Sequence, residues 1–158
     1  MKKMILSLGS NMSDRRLFLQ KAAAHVESEV GRVVRRSSVR ESEAWGFVAP
    51  PFLNQVLEVQ TDLSPEQVLA KTQQIERALG RTEKTRYDFQ GQPVYSDRPI
   101  DIDLLWFEDE CRDTPQLILP HPRIPEREFI LVLLVELYDN QILPPFTSSF
   151  EEMLAYLK

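Results

Sequence analysis

The feature that most limits how this chain can fold is the apolar run at residues 98–107, which carries two carboxylates. Its isoleucine, leucine and aromatic content predicts a buried strand in the middle of a sheet. Because side chains alternate along a strand, Asp101 and Asp103 share one face, whereas Ile100 and Ile102 share the other. Two like charges roughly 6 to 7 Å apart repel each other, and burial adds a desolvation cost for each ion. Such a pair needs a compensating charge.

Two kinds of compensation fit the aspartate pair. A solvated strand face would pair Asp101 and Asp103 with nearby arginines, whereas a buried one calls for a divalent cation. The apolar flanks favour the cation, and oxygen ligands favour Mg²⁺. This ion commonly takes one or two carboxylates and fills its other positions with water and substrate phosphates. We therefore expect a magnesium site at these two residues.

Length and composition limit the class of protein. The chain has 158 residues, of which 42% are hydrophobic, and we expect one domain over residues 1–158. The longest apolar run, Phe129 to Val135, is far shorter than the ~20 residues of a membrane span, and no signal peptide is evident. A single cysteine excludes an internal disulfide, and a net charge of −5 argues against a nucleic-acid partner. We expect a cytoplasmic monomer that acts on small molecules.

Hydrophobic periodicity and turn residues predict six core elements in the order βαββαβ. This is the order of the ferredoxin-like fold, so the predicted class is α+β, an α/β sandwich. A hairpin near residues 109–119 is expected to extend the sheet, and two helices follow it. The expected strands cover residues 3–8, 33–39, 53–60 and 98–107. One expected helix covers residues 126–137. The other three begin after an N-cap residue, which is Ser13 or Asp14 for the first, Ser64 for the second and Ser149 for the last.

Two loops carry candidate binding residues. The loop at 42–51 contains Trp45 and leads into Phe52 and Asn54, which share a strand face. Its aromatic residues either close the edge of the core or, together with the Asn54 amide, stack on and hydrogen-bond a flat heterocycle. The loop at 81–97 is long and basic, which is typical of solvated charge or of a lid over a polyphosphate.

A third segment, 119–129, holds His121 between two prolines and close to Arg123 and Arg127. A single histidine often packs or satisfies a backbone group. Here the prolines fix its position beside positive charge, and we favour contact with an anionic ligand. The chain contains no P-loop motif, so any phosphate binding is of another kind.

Five short motifs occur in a fixed order along the chain, and together they are highly specific. They resemble those of the 6-hydroxymethyl-7,8-dihydropterin pyrophosphokinases of folate biosynthesis, and the resemblance extends from end to end. The motifs are Leu8-Gly9-Ser10-Asn11, Pro51-Phe52-Leu53-Asn54, Ile75-Glu76 with Gly80-Arg81, Arg98 through Leu105 with both aspartates, and Pro120-His121 with Arg127-Glu128-Phe129.

The resemblance implies a ferredoxin-like enzyme that transfers a diphosphoryl group from ATP to the pterin hydroxymethyl oxygen and releases AMP. It implies that Asp101 and Asp103 hold two Mg²⁺ ions and act in catalysis with Arg81 and Arg98. The implied pterin residues are Ser42, Glu43, Trp45, Phe52, Asn54 and Phe129. The implied nucleotide residues are Gln73, Glu76, Lys84, Arg86, Tyr95, Arg98, Leu104, His121 and Arg127.

The chain departs from the family pattern in the basic loop. Ser96-Asp97 stands where Gly-Pro is common, and Tyr95 stands where tryptophan is usual. Glu83 replaces a second arginine, so Lys84 or Arg86 is expected to take over its role. Two other functions stay open. A metal-dependent phosphohydrolase would use the same two carboxylates, and a non-catalytic binding module would share the ferredoxin-like fold.

Overall fold

The structure is a computed structural model that describes the chain outside residues 13, 44–50, 81–85, 88–92, 95–98 and 158. The described strands are β1 (Lys2–Ser10), β2 (Arg32–Arg36), β3 (Arg40–Ser42), β4 (Phe52–Thr61), β5 (Arg86–Tyr87), β6 (Pro93–Val94), β7 (Asp101–Phe107), β8 (Arg112–Asp113) and β9 (Ile118–Leu119). The described helices are α1 (Arg15–Glu29), α2 (Pro65–Ala78), α3 (Glu128–Tyr138) and α4 (Phe150–Tyr156), and a 3₁₀ turn covers Ile124–Glu126.

The main sheet has the strand order β2-β4-β1-β7, and β3 pairs with β4 beyond the end of β2. All of these pairings are antiparallel. The four core strands in chain order are β1, β2, β4 and β7. In the sheet the first of them, β1, lies between the third, β4, and the fourth, β7, and this is the strand order that a βαββαβ unit produces. The predicted ferredoxin-like α+β class is therefore confirmed.

Helices cover both faces of the main sheet. Met4, Leu6 and Leu8 of β1 belong to the core that α1 and α2 cover. Ile5 of β1, together with Trp106 of β7, belongs to a second core beneath α3 and α4. This division follows from the strand period, because successive residues of β1 point to opposite faces. Among the described helices, none is both long and apolar enough to cross a membrane.

The predicted helix starts are confirmed by their caps. Asp14 Oδ1 accepts the Leu17 N–H at 3.1 Å, so Asp14 caps α1. At α2 the Ser64 Oγ accepts the Gln67 N–H at 3.2 Å, and Gln67 Oε1 accepts the Ser64 N–H at 2.8 Å. These bonds satisfy backbone donors that the first helical turn leaves unpaired.

The strand expected at residues 33–39 is divided into β2 and β3. The cause is Ser37, whose N–H donates to Val56 O at 2.9 Å and whose Oγ accepts the Val56 N–H at 2.8 Å. A side chain thus replaces a backbone carbonyl in the ladder. The strand resumes at Arg40, which pairs with Asn54.

Three other expectations about the second half of the chain were wrong. The aspartate-bearing strand β7 lies at the edge of the main sheet and not in its middle. The β8–β9 hairpin forms its own two-stranded sheet and does not extend the main one. Helix α3 begins at Glu128, because Pro125 lies in the preceding 3₁₀ turn.

A charged network lies on the α3 side of the sheet, away from the aspartate pair. Glu58, which is 6% exposed, accepts hydrogen bonds from Arg35 Nη2 at 2.8 Å and Tyr138 Oη at 2.6 Å. Burial raises the pKa of the Glu58 carboxyl, but the hydrogen bonds from Arg35 and Tyr138 outweigh it and hold that pKa below its usual value. The network links β2, β4 and α3, because each contributes one member.

Candidate active site

Three neighbouring strands bring predicted pterin and metal residues into one row. Gly9 of β1 lies opposite Asn54 of β4 on one side and opposite Asp101 of β7 on the other. Ser7 lies opposite Asp103 in the same way. Residues paired across an antiparallel ladder point to the same face, which here is the face that α3 covers. Since adjacent strands are about 4.8 Å apart, Asn54 and Asp101 are separated by about 10 Å, with Gly9 between them.

The two aspartates form the centre of this row. Both are half-buried and both line a cavity. Arg127 Nη1 lies 3.8 Å from Asp103 Oδ2, with the two side chains 29% and 33% exposed. An ion pair at that distance and exposure stabilises by at most about 1 kcal/mol, so Arg127 offsets only part of the negative charge.

The donor set at the pair fits magnesium. Within the described part of the chain, no cluster of three or more histidine, cysteine, aspartate or glutamate side chains is arranged to hold a metal. Asp101 and Asp103 both line the cavity, so the protein offers two carboxylates there. Mg²⁺ commonly takes one or two protein carboxylates and completes its octahedron with water and phosphate oxygens.

Glu76 closes the outer edge of β7 between the two aspartates. Its Oε2 accepts the Ile102 N–H at 2.8 Å, and the Glu76 side chain is only 5% exposed. Three residues farther along the strand, the His121 N–H donates to Leu105 O at 2.8 Å. An edge strand exposes backbone donors and acceptors, and these two bonds pair some of them. The strand that carries the aspartates is therefore hydrogen-bonded on its outer edge as well as to β1 on its inner edge.

The ring of His121 is fixed in one neutral form. The Arg123 N–H donates to His121 Nδ1 at 3.2 Å, so Nδ1 is an acceptor and the ring proton is on Nε2. Burial, then the charges of Arg127 and Arg123, lower the pKa of His121 to about 4, against the opposing effect of Asp101. Near neutral pH the imidazole is therefore a neutral donor through Nε2.

A cavity of about 490 Å³ lies over the outer edge of β7. That volume is in the range of small-molecule sites. It brings together the predicted nucleotide residues of α2, β7 and the segment before α3 with both aspartates. The lining includes Gln73, Glu76, Asp101, Asp103, Leu104, His121 and Arg127, and it adds Gln116 and Arg123.

On the other side of β1, the Asn54 amide is held in one orientation. Its Nδ2 donates to Ser42 Oγ at 2.7 Å and to the Arg40 carbonyl at 3.3 Å. Because a carbonyl can only accept, the bond to Arg40 identifies the NH₂ side, and Oδ1 faces Gly9. Asn54 is only 4% exposed, so its acceptor is directed towards Gly9 inside the protein.

The other predicted pterin residues lie at varying distances from this amide. Phe52 pairs with Ser42 in the ladder, and both are half-buried. Phe129 is half-buried at the start of α3 and packs against the core beneath that helix. Glu43 directly follows β3 and is exposed.

Several predicted residues lie outside the described residues, namely Trp45, Arg81, Lys84, Tyr95 and Arg98. Arg86 is described only as part of the two-residue strand β5, which pairs with β6. The roles expected for the basic loop therefore stay predictions.

Sequence reasoning missed two features of the site. It gave Gly9 no role, although the glycine lies between Asn54 and Asp101. It assigned Glu76 to the nucleotide, which stays a prediction, but did not foresee that the Glu76 carboxylate accepts the Ile102 N–H. No local signal reveals either feature, because both depend on pairing between distant segments.

The fold and the site together define a class: a ferredoxin-like α+β protein in which a carboxylate pair lines a small-molecule cavity and lies in one row with an asparagine amide. The model of the 7,8-dihydro-6-hydroxymethylpterin-pyrophosphokinase family matches residues 5–139. The chain belongs to this family.

Curated relatives match the sequence of this chain over most of their own length. The chain is 44% identical over 127 residues to the 2-amino-4-hydroxy-6-hydroxymethyldihydropteridine pyrophosphokinase of Porphyromonas gingivalis, a match that covers 79% of this chain and 83% of that protein. It is 36% identical over 148 residues to the Aquifex aeolicus protein of the same name, covering 93% and 87%. For the Bacillus subtilis protein of that name the identity is 39% over 134 residues, covering 84% and 75%.

Solved structures support the fold. The crystal structure of wild-type Plasmodium falciparum HPPK-DHPS with pteroate matches with a TM-score of 0.76 at 15% identity. A structure of HPPK-DHPS in complex with substrates matches with a TM-score of 0.73 at 13% identity. Each match covers 99% of this chain, which spans only 42% and 43% of those longer chains.

Proposed function

We propose that this protein transfers the diphosphoryl group of ATP to 6-hydroxymethyl-7,8-dihydropterin, giving AMP and the pterin diphosphate, in folate biosynthesis. The observation that carries the proposal is the row Asn54, Gly9, Asp101 across three strands. The Asn54 amide lies on one side of β1 and the carboxylate pair with its cavity lies on the other, which supports a ring site beside a phosphate site. Membership of the family supports the same reaction.

The pterin would lie on the sheet face beside Asn54. Its ring would stack between Phe52 and Phe129, whose faces are attractive to a flat heterocycle. Asn54 Oδ1 would accept a hydrogen bond from a ring N–H, because both amide hydrogens are already directed to Ser42 and Arg40. Backbone groups of Ser42, Glu43 and Trp45 would add further hydrogen bonds.

The nucleotide would occupy the cavity over the edge of β7. The cavity is lined by Gln73, Glu76, Leu104, His121 and Arg127. Arg127 and the Nε2–H of His121 would donate to phosphate oxygens. The basic residues Arg81, Lys84, Arg86 and Arg98, with Tyr95, would contact the triphosphate from the loop.

Asp101 and Asp103 would hold two Mg²⁺ ions. When bound there, the ions supply positive charge that neutralises the transferring phosphoryl group. The chain's own contribution is to keep both carboxylates on one face, half-buried, with the intervening backbone tied to Glu76. Because both carboxylates are half-buried, substrate phosphates could reach ions held there.

In the reaction, the pterin hydroxymethyl oxygen attacks the β-phosphorus of ATP and the bond to the α,β-bridging oxygen breaks, so that AMP leaves. His121 would not take the hydroxyl proton through Nδ1, since that atom accepts the Arg123 N–H, and the proton would pass to solvent. Phosphoryl transfer depends chiefly on positioning and electrostatic stabilisation, so a strong base is not required. Alignment of both substrates across β1 is the main task of the site.

An assay of nucleotide products tests the proposal. Incubation with ATP, Mg²⁺ and the hydroxymethyl dihydropterin should yield AMP in equal amount to the pterin diphosphate, and no AMP should form without the pterin. ADP as the product contradicts the proposal. Phosphate release that needs no pterin indicates a phosphohydrolase, and no turnover together with no ligand-induced rise in Tm indicates a binding module.

We further propose that residues 1–158 form one domain that acts as a cytoplasmic monomer on these small molecules. The chain covers 83% of the Porphyromonas gingivalis relative and 87% of the Aquifex aeolicus relative, which supports one domain of that size. Sedimentation velocity at assay concentrations tests the monomer: a species of twice the 18.4 kDa chain mass contradicts it.

A further inference from the structure

A second cavity, of about 210 Å³, lies on the α3 side of the main sheet. Two of its lining residues, Glu58 of β4 and Trp106 of β7, lie opposite the same residue of β1, Ile5. Ile5 is four residues along that strand from Gly9, which at about 3.3 Å per residue is about 13 Å from the row that holds Asp101. Neither aspartate of the pair lines this cavity, so it is separate from the proposed substrate sites.

Glu58 brings a charged oxygen to this cavity. The residue is 6% exposed, and its Oε1 accepts both the Arg35 and the Tyr138 hydrogen bonds. No described residue donates to Oε2. Among the described side chains, Ser10 Oγ is the only fully buried polar atom without a partner, so Glu58 Oε2 keeps access to the open space that Glu58 lines. The cavity therefore contains a carboxylate oxygen that lacks a donor.

The two cations of the lining do not supply that donor. Arg35 is held elsewhere, because its Nη1 donates to Leu137 O and its guanidinium lies 4.7 Å from the centre of the Tyr138 ring. Among the described residues, Glu58 forms its ion pair with Arg35 alone. Lys3 is exposed and acts on Glu58 only through its charge. A donor from outside the protein can therefore reach Oε2.

The charge of the lining favours a cation. Three carboxylates line the cavity, those of Glu58, Glu108 and Asp109, against the two cations Lys3 and Arg35. The hydrogen bonds from Arg35 and Tyr138 hold the pKa of Glu58 below its usual value, so this carboxylate is ionised near neutral pH. The lining then carries one negative charge in excess, which a monovalent cation balances.

The remaining lining offers an apolar surface. The Trp106 indole N–H donates to Pro144 O at 2.8 Å, which uses the only polar group of that side chain. Leu143 is 7% exposed, whereas Ile142 is 47% exposed. A ligand with an apolar body would remove part of the Ile142 side chain from water, and this burial is favourable.

We propose that this cavity binds a small organic cation, whose N–H groups donate to Glu58 Oε2 and whose flat apolar body packs against Trp106 and Ile142. The inference does not rest on the proposed function, because no step of that reaction uses this cavity. Its volume is below the range of drug-sized sites, which limits the ligand to about one ring with a short charged group. An amidinium or guanidinium group fits, because planar N–H donors form strong charge-assisted bonds to carboxylates.

Benzamidine is the probe for this site, since it is a planar monovalent cation with one ring. Benzamide has nearly the same shape without the charge, and benzoate carries the opposite charge. NMR titration of isotope-labelled wild-type protein locates the binding. We expect saturable benzamidine shifts at the Trp106 indole N–H and at the Ile142 and Leu143 amides. Benzamide should bind at least about tenfold more weakly, and benzoate should not saturate, because a charge-assisted bond is lost or replaced by repulsion.

Two variants and a control test the carboxylates. Glu58→Gln keeps the size of the side chain and removes its charge, so benzamidine should bind at least about tenfold more weakly. Glu108→Gln can still accept the Lys3 N–H through its amide oxygen, so the fold is retained, and affinity should fall roughly two- to fivefold. Glu151→Gln is the matched control, because Glu151 is exposed on α4 and outside the lining, and its affinity should stay within about twofold of wild type.

Three results overturn the inference. The first is wild-type protein whose Trp106 and Ile142 signals do not saturate below about 10 mM benzamidine. The second is equal affinity for benzamidine and benzamide, or a folded Glu58→Gln that binds as wild type does. The third is a set of shifts at Asp101 and Ile102 without shifts at Ile142, since these place the cation at the aspartate pair. If Glu58→Gln does not fold, unchanged affinity in Glu108→Gln overturns the inference instead.

Discussion

Replacing Glu76 with alanine removes the acceptor of the Ile102 N–H, which lies between the two aspartates. The bond is 2.8 Å long and buried, and its acceptor is a carboxylate. Loss of a hydrogen bond to a charged group typically costs about 1.5 to 3 kcal/mol. Glu76 lines the cavity of about 490 Å³, so water can reach the N–H after truncation. The lower part of the range, about 1.5 to 2 kcal/mol, is therefore expected.

This loss is measurable in the protein without ligands. For a domain of this size about 2 to 4 °C of Tm corresponds to each kcal/mol, so Glu76→Ala should unfold roughly 3 to 8 °C below wild type. Glu76→Gln keeps an amide oxygen as the acceptor and should lose less than half as much. Because small displacements of reacting groups can cost up to about a hundredfold in rate, we expect kcat/KM in Glu76→Ala to fall by at least about tenfold.

Gln74→Ala provides the control. Gln74 is exposed on the same helix, and glutamine and alanine both favour helices, so Tm and turnover should match wild type. If Glu76 only contacts the nucleotide, Glu76→Ala leaves the Tm of the unliganded protein unchanged and raises only the KM for ATP. That outcome would refute the edge-bond argument. Equal damage in Glu76→Gln and Glu76→Ala would instead show that the charge matters and not the acceptor.

Three further predictions concern the remaining charged groups. Asp101→Asn or Asp103→Asn should lower kcat by roughly a hundredfold or more without lowering Tm, because each removes one of two repelling charges; near-normal turnover in either variant contradicts the metal role. Tyr138→Phe should lower the free energy of unfolding by about 1.5 to 3 kcal/mol, since it removes a 2.6 Å bond to the Glu58 carboxylate. The same variant should raise the depressed pKa of Glu58, so the protein should lose stability at a higher pH during acid titration than wild type does. An unchanged acid-unfolding midpoint contradicts this prediction. Because the pKa of His121 is lowered to about 4, its NMR ring signals should titrate well below pH 6.5. The stability linked to this group should rise as the pH increases from about 4 to 6.5. A titration midpoint at or above pH 6.5 contradicts the buried neutral ring.

Much of the fold could be predicted because its signals are local. The cap at Ser64 depends on residues within one helical turn, and the capping box forms as expected. The βαββαβ order follows from hydrophobic periodicity, and that order leaves few sheet topologies. The division of the expected strand at Ser37 could not be predicted, because a side chain that replaces a carbonyl in the ladder leaves the hydrophobic pattern unchanged.

The site divides in the same way. The sequence by itself determined that Asp101 and Asp103 share a face, since the period of a strand is two residues. Only the tertiary structure decided that their strand is an edge strand closed by Glu76, and that Gly9 lies between Asp101 and Asn54. These relations depend on register between segments far apart in the chain, and register is set by packing of whole strands against both cores. The spacing of residues along one strand carries no information about it.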